Sequence, residues 1–132
     1  MTRVAITATG RYFPKRSEPN SYFYEKLGLD TSEEWIRTRT GIRERRVADV
    51  ANGECTAFMG AQAAQICLDR AGLTADDLDG ILVGTVTPDM TFPAAACMVQ
   101  AELGASKAFG WDVSAACSGY VFTLAQAYAL VN

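Results

Sequence analysis

An α/β layer built round a mainly parallel sheet is the fold class this sequence predicts. Three observations carry it. Gly80-Ile81-Leu82-Val83-Gly84-Thr85-Val86 is an unbroken apolar run of strand length, which suits a strand covered on both faces. Segments of helical periodicity separate it from the other strand-like stretches, in the order strand, helix, strand, helix, strand, helix. The connections are short and punctuated by glycine.

Composition agrees. The chain has 132 residues, 49% apolar and 20% charged, enough for one ordinary domain with a core. A net charge of −3 argues against a nucleic-acid partner. No apolar run approaches the roughly 18 residues of a membrane span. Met1-Thr2-Arg3-Val4-Ala5-Ile6 lacks the apolar stretch of a signal peptide, so a cytoplasmic protein without a membrane partner is expected. The cysteines stand at 55, 67, 97 and 117, with no Cys-x-x-Cys spacing and no histidine in the chain. Neither a metal site nor a disulfide framework is expected. A complete Cys–His dyad cannot be built from these residues alone.

In chain order, Val4 to Gly10 reads as a buried strand and Pro14 to Pro19 as a polar turn or loop. Tyr22 to Leu27 reads as a short helix closed by Gly28, its aromatics serving packing. Thr31-Ser32-Glu33-Glu34 reads as a capping box with Thr31 as N-cap. The helix after it carries Trp35, Ile36 and Arg39 and ends near Gly41. Ile42 to Val47 is expected to be extended. Arg37, Arg39, Arg43, Arg45 and Arg46 make the dense basic stretch of the chain. Two readings of it stand open. One is a solvated face with ion pairs to Glu33, Glu34 and Glu44. The other is a site for a phosphate-bearing ligand, with Trp35 and Arg39 on one helical face at i, i+4.

Ala48 to Glu54 reads as a loop. Thr56 to Ala71 reads as an alanine-rich helix with Met59, Ala63, Ile66 and Cys67 on its apolar stripe and Gly72 beyond its end. Cys55 and Cys67 read as packing or surface thiols. Thr74-Ala75-Asp76-Asp77 reads as a capped turn. After the strand at 80–86 comes a loop, Thr87 to Thr91. Pro93 suits the first turn of a helix that runs to Leu103, with Gly104 after it. Ala108 to Val113 is the next strand. Cys117, the Thr87–Phe92 loop, Trp35 and Arg39 would then converge at the carboxyl ends of the strands, where such sheets bind ligands.

The stretch Trp111-Asp112-Val113-Ser114-Ala115-Ala116-Cys117-Ser118-Gly119-Tyr120 reads as a strand that stops at small residues, turns at one cysteine and enters a helix. Cys117 would lie at a helix amino-terminus, where unpaired N–H groups favour a thiolate and could hold an oxyanion. The alternative is a small buried core cysteine.

Three blocks carry a family resemblance: residues Thr31 to Arg45 (TSEEWIRTRTGIRER), Phe92 to Cys97 (FPAAAC) and Asp112 to Tyr120 (DVSAACSGY). In order from the Gly10 turn to the last helix, the chain resembles the amino-terminal part of the β-ketoacyl-acyl-carrier-protein synthase III group of the thiolase-like superfamily. The resemblance implies the amino-terminal portion of a layered thiolase-like fold with a mainly parallel mixed sheet. It implies an acyltransferase of fatty acid synthesis. Cys117 takes an acyl group from acyl-coenzyme A, which is a substrate, with no separate cofactor. Malonyl-acyl-carrier protein then condenses with the acyl group after losing carbon dioxide. It implies Trp35 and Arg39, with Thr31 nearby, as the coenzyme A site, and Phe92 reaching the acyl pocket of a partner subunit in a homodimer.

Glu33 stands where the family often has Asp. Family members are more than twice this length, and their catalytic His and Asn lie in a carboxyl-terminal half absent here. Residues 1–132 would thus be one part of a condensing-enzyme domain, inactive alone and with an unpaired sheet edge. Two other readings are a related thioester-condensing or acyltransferring enzyme of secondary metabolism, and a non-catalytic α/β binding module.

Overall fold

The computed structural model describes residues 4–132, so Met1, Thr2 and Arg3 of the signal-peptide reading lie outside the described residues. The chain forms two compact units, residues 4–12 with Cys55–Asn132, and Phe13–Glu54.

The larger unit is the α/β layer. Helix α2 (Thr56–Ala71), strand β3 (Gly80–Gly84), helix α3 (Ala95–Leu103), strand β4 (Phe109–Val113) and helix α4 (Gly119–Val131) follow one another. Strands β3 and β4 pair in parallel, Gly80 opposite Phe109 through Gly84 opposite Val113. A crossover through a helix is what parallel pairing requires, and α3 supplies it. The core sits where α2 meets α3: Ala57, Ala61 and Val99 are buried, with Ile81, Val83, Met98 and Leu103 packed against them. Small residues permit this approach. A Cβ on Gly60 would stand 3.1 Å from Val99 Cγ2. The buried stripe of α2 is therefore Ala57, Ala61 and Leu68, not the stripe through Met59, Ala63, Ile66 and Cys67 that the larger side chains suggested. Close helix packing selects the small face. Gly72 and Gly104 end α2 and α3 in the left-handed conformation, at φ 66° and 71°.

Residues 4–10 correct the first strand reading. They join no ladder and are largely exposed, Ile6 to 66%. Alternating apolar residues describe a surface that could be covered, but a strand also needs a hydrogen-bonding neighbour. The segment is held against α2 instead. A Cβ on Gly10 would run into the Ala63 carbonyl oxygen and lie 2.8 Å from Cys67 N. Arg70 Nη1 donates to Thr9 O at 2.8 Å, and Tyr12 meets Phe58 edge-on.

The turn at Ala75–Asp77 is capped as expected: Thr74 N–H and Thr74 Oγ1 both donate to Asp77 Oδ2 at 2.8 Å. Those bonds, the backbone one first, hold the Asp77 carboxyl below its usual 3.8. A carboxyl depressed in the folded state stabilises it above the ordinary value, and that contribution is lost as pH falls through the lowered one. Asp77→Asn should therefore flatten the acid limb of a stability–pH curve below about pH 4, read by denaturant titration at several pH values.

In the smaller unit, strand β1 (Ser17–Pro19) pairs antiparallel with β2 (Glu44–Arg46). The turn expected over Pro14 to Pro19 thus contains a strand, because the arginine segment offers it a ladder. A single π-type turn, Tyr22–Lys26, replaces the short α-helix. A 3₁₀ turn, Val50–Asn52, interrupts the loop expected from Ala48 to Glu54. Helix α1 (Glu33–Thr40) is capped by Ser32, whose Oγ accepts from Trp35 N–H at 3.1 Å, so the cap falls one residue after Thr31. Asn20 organises this unit. It is fully buried; its Nδ2 donates to Ile42 O at 2.8 Å, its N–H to Arg43 O at 3.3 Å, and its Oδ1 faces Arg45 Nη1 at 3.4 Å.

Candidate active site

Cys117 is the exposed cysteine; Cys55, Cys67 and Cys97 are partly buried. Its position follows from the strand end. Val113, the last residue of β4, is buried, and its carbonyl oxygen accepts from Thr85 N–H at 3.2 Å, which ties the ends of β3 and β4 together. The chain then leaves the sheet through Ser114 and Ala115. Ala116 takes φ 44°, the one non-glycine residue among those described with positive φ. That conformation costs about 1–2 kcal/mol in an L-residue and turns the chain sharply before the cysteine. Ala116→Gly should relieve the strain and raise the unfolding free energy by up to about 1 kcal/mol, measured by chemical denaturation.

A 3₁₀ turn, Ala116–Ser118, holds Cys117 and passes directly into α4 at Gly119. The helix-start reading is thereby refined. Ser118 N–H and Gly119 N–H are spent on Ala115 O and Ala116 O, and the Cys117 N–H is outside these two bonds. Gly119 is buried against the end of β3: a Cβ on Gly84 would stand 3.2 Å from Gly119 C and O, and 3.0 Å from Thr123 Oγ1. Two glycines in backbone contact thus fix where α4 starts, and with it the cysteine turn.

The neighbouring loop, residues 85–94, carries Phe92 at 86% exposure. Pro93 precedes the N-cap residue Ala94, so it lies before α3 rather than in its first turn. Grooves of ≈480 Å³ and ≈350 Å³ occur in this unit, and neither is lined by Cys117. No group of three or more His, Cys, Asp or Glu residues that could hold a metal ion occurs among the described residues.

Trp35 and Arg39 lie in the smaller unit. The guanidinium carbon of Arg39 sits 4.8 Å from the Trp35 ring centroid, the one-face pairing the spacing predicts. Among the described residues none of Arg37, Arg39, Arg43, Arg45 and Arg46 forms an ion pair; the bridges are Arg16–Glu18 and Lys107–Asp76. Arg45 stacks on Phe23 at 4.9 Å and Arg46 donates to Lys15 O at 2.9 Å. The ion pairs to Glu33, Glu34 and Glu44 that one of the two readings called for are absent among the described residues. Thr31 Oγ1 is shielded from solvent without a hydrogen-bond partner.

An α/β layer with parallel strands is the thiolase-like fold, and solved synthase III structures similar to this chain have that fold. The chain is homologous to the amino-terminal part of β-ketoacyl-[acyl-carrier-protein] synthase III. It is 50% identical over 129 residues to the synthase III of Dinoroseobacter shibae, which covers 98% of this chain and 39% of that relative. Against the crystal structure of the Aquifex aeolicus synthase III the TM-score is 0.86 at 44% identity, over 96% of this chain and 39% of the other. The priming β-ketosynthase of the R1128 polyketide pathway follows at TM-score 0.84 and 37% identity, over 92% and 35%. The chain thus spans about two fifths of the length of these relatives. No protein-family model matches it.

Proposed function

We propose that these 132 residues are the amino-terminal part of a synthase III type condensing enzyme that begins fatty acid synthesis in the cytoplasm. The observation that carries the reading is the exposed Cys117 in a strained turn between β4 and α4. The Cys117 thiolate attacks the carbonyl carbon of an acyl-coenzyme A. The new C–S bond forms as the bond to coenzyme A breaks, and coenzyme A leaves as a thiol after taking a proton. The Cys117 N–H is the donor placed to hold the oxyanion between these steps. Malonyl-acyl-carrier protein then loses carbon dioxide, and its α-carbon attacks the acyl carbonyl. A C–C bond forms, and the Cys117 thiolate is returned. The chain has no histidine, so these residues cannot supply a histidine to the second step. These 132 residues alone are therefore inactive in condensation.

Trp35 offers a flat face to the adenine of coenzyme A, and Arg39 its guanidinium to the phosphates, with Thr31 beside them. The Arg39 guanidinium held over the Trp35 ring, with no carboxylate partner among the described residues, supports this reading. Phe92 reaches into the acyl pocket of a second copy in a homodimer. No helix among the described residues is long and apolar enough to cross a membrane. Arg39→Ala should raise the KM for acyl-coenzyme A about 5- to 10-fold, as expected for one lost charge-assisted contact, and leave Cys117 alkylation unchanged. The similarity to a polyketide priming ketosynthase favours one second reading, a condensing enzyme of secondary metabolism. Assay of the full protein with malonyl-acyl-carrier protein from fatty acid synthesis against other carrier-bound acceptors separates the two. Failure to release carbon dioxide with any acceptor would refute both.

A further inference from the structure

The loop between β3 and α3 is fastened by carboxylates where local caps are missing. Cys55 and Ala94, the N-cap residues of α2 and α3, supply no side-chain cap. Asp89, within the loop, takes the first amides of α2: Thr56 N–H donates to Oδ1 at 2.6 Å and Ala57 N–H to Oδ2 at 2.8 Å. Thr56 Oγ1 donates back to Thr87 O at 2.7 Å. Asp112, on β4, takes the first amides of α3: Ala95 N–H donates to Oδ2 and Ala96 N–H to Oδ1, both at 2.8 Å. Each carboxylate therefore makes two charge-assisted bonds to one helix start, a geometry with little rotational play.

A neighbouring Ser, Thr or Asp would cap either helix equally well. The arrangement found does more, because it joins the loop, two helix starts and the cysteine strand into one frame. Yet the loop buries none of its large apolar side chains: Val86 is 57% exposed, Met90 46% and Phe92 86%. A loop held this firmly with its phenylalanine in the open is built to present that side chain.

We propose that Asp89 and Asp112 are positioning residues for acyl selection. They fix the Phe92 loop against β4 and, in the proposed dimer, so set how deeply Phe92 enters the partner's pocket and the room left there for the acyl chain. The inference rests on the roles given above to Cys117 and Phe92.

The test measures acylation of Cys117 in the full protein by acetyl- and hexanoyl-coenzyme A, for the unaltered protein, Asp112→Ala, Asp112→Asn and Asp89→Ala. The ratio of the two acylation rates should shift about tenfold in both alanine variants, the scale on which a pocket discriminates chain length. Asp112→Asn, which keeps one acceptor oxygen, should fall between, and it carries the test if Asp112→Ala does not fold. Alkylation of Cys117 by iodoacetamide, blind to the acyl chain, should change less than about twofold. Hydrogen exchange should quicken at residues 95 and 96 in Asp112→Ala, and at 56 and 57 in Asp89→Ala. An unchanged ratio, or an equal fall with both substrates, overturns the positioning role alone. An unaltered protein that neither thioester acylates overturns the function reading itself.

Discussion

Cys117→Ala should lower acyl transfer in the full protein by at least about 10³-fold, because the covalent intermediate has no other sulfur to form on. The three remaining cysteines cannot substitute. Cys97 lies in α3 with its sulfur 4.0 Å from Gly110 O, Cys67 lies on α2 beside Gly10, and Cys55 is the N-cap residue of α2. None stands in a turn that passes from a strand into a helix. Stability should barely change, since Cys117 is exposed. The variant should unfold at the same denaturant concentration while losing the acyl adduct seen by mass spectrometry. An adduct that survives would place the acyl group elsewhere.

Asn20→Ala should cost about 1–3 kcal/mol, because it removes the part-buried bond to the Ile42 carbonyl oxygen and leaves a cavity where the fully buried side chain stood. The loss belongs to the smaller unit and should be seen first in hydrogen exchange along β2. Arg45 loses its contact with Asn20 Oδ1, so the arginine segment should loosen with it. Coenzyme A binding should then weaken as well, although Asn20 itself touches no ligand in this account. Asn20→Asp is the informative partner variant: its oxygen still faces Arg45, but neither oxygen can donate to Ile42 O. If it were as stable as the unaltered protein, the Asn20–Ile42 bond would not be what holds the unit together.

The parts of this chain that the sequence made legible are those whose causes are local. Helix α2 ends at Gly72 because only the next residues decide a left-handed cap, and the Trp35–Arg39 pair forms because i, i+4 neighbours meet on any helix. The apolar run at 80–84 is a strand paired in parallel with β4, as its length and composition suggest, although its residues are only half-buried and Gly84 is exposed, so cover on both faces is not found. What depended on distant partners was hidden. The alternation in residues 4–10 carries no information about whether a neighbouring strand exists. Pro19 looked like a turn residue, yet it forms an end of β1 because Glu44 is its partner. Asn20 has the composition of a loop residue and sits fully buried. Capping rules examine the residue at the helix start, so they could not find Asp89 and Asp112, which act across 32 and 16 or more residues of chain. The cysteine turn was legible as a strand, small residues and a helix. Its left-handed Ala116 and the spent amides of Ser118 and Gly119 were not, because they depend on how Gly84 packs against Gly119.

The central claim is that one of four cysteines is a reachable nucleophile that accepts an acyl group. Site-resolved alkylation tests it most directly. The protein is treated with iodoacetamide at neutral pH, with and without prior exposure to acetyl-coenzyme A, and each cysteine is followed by peptide mass spectrometry. Cys117 should be labelled first, and acetyl-coenzyme A should protect it by leaving an acetyl mass on the same peptide. Labelling that favours Cys55, Cys67 or Cys97, or a Cys117 that acetyl-coenzyme A leaves unprotected, would contradict the account.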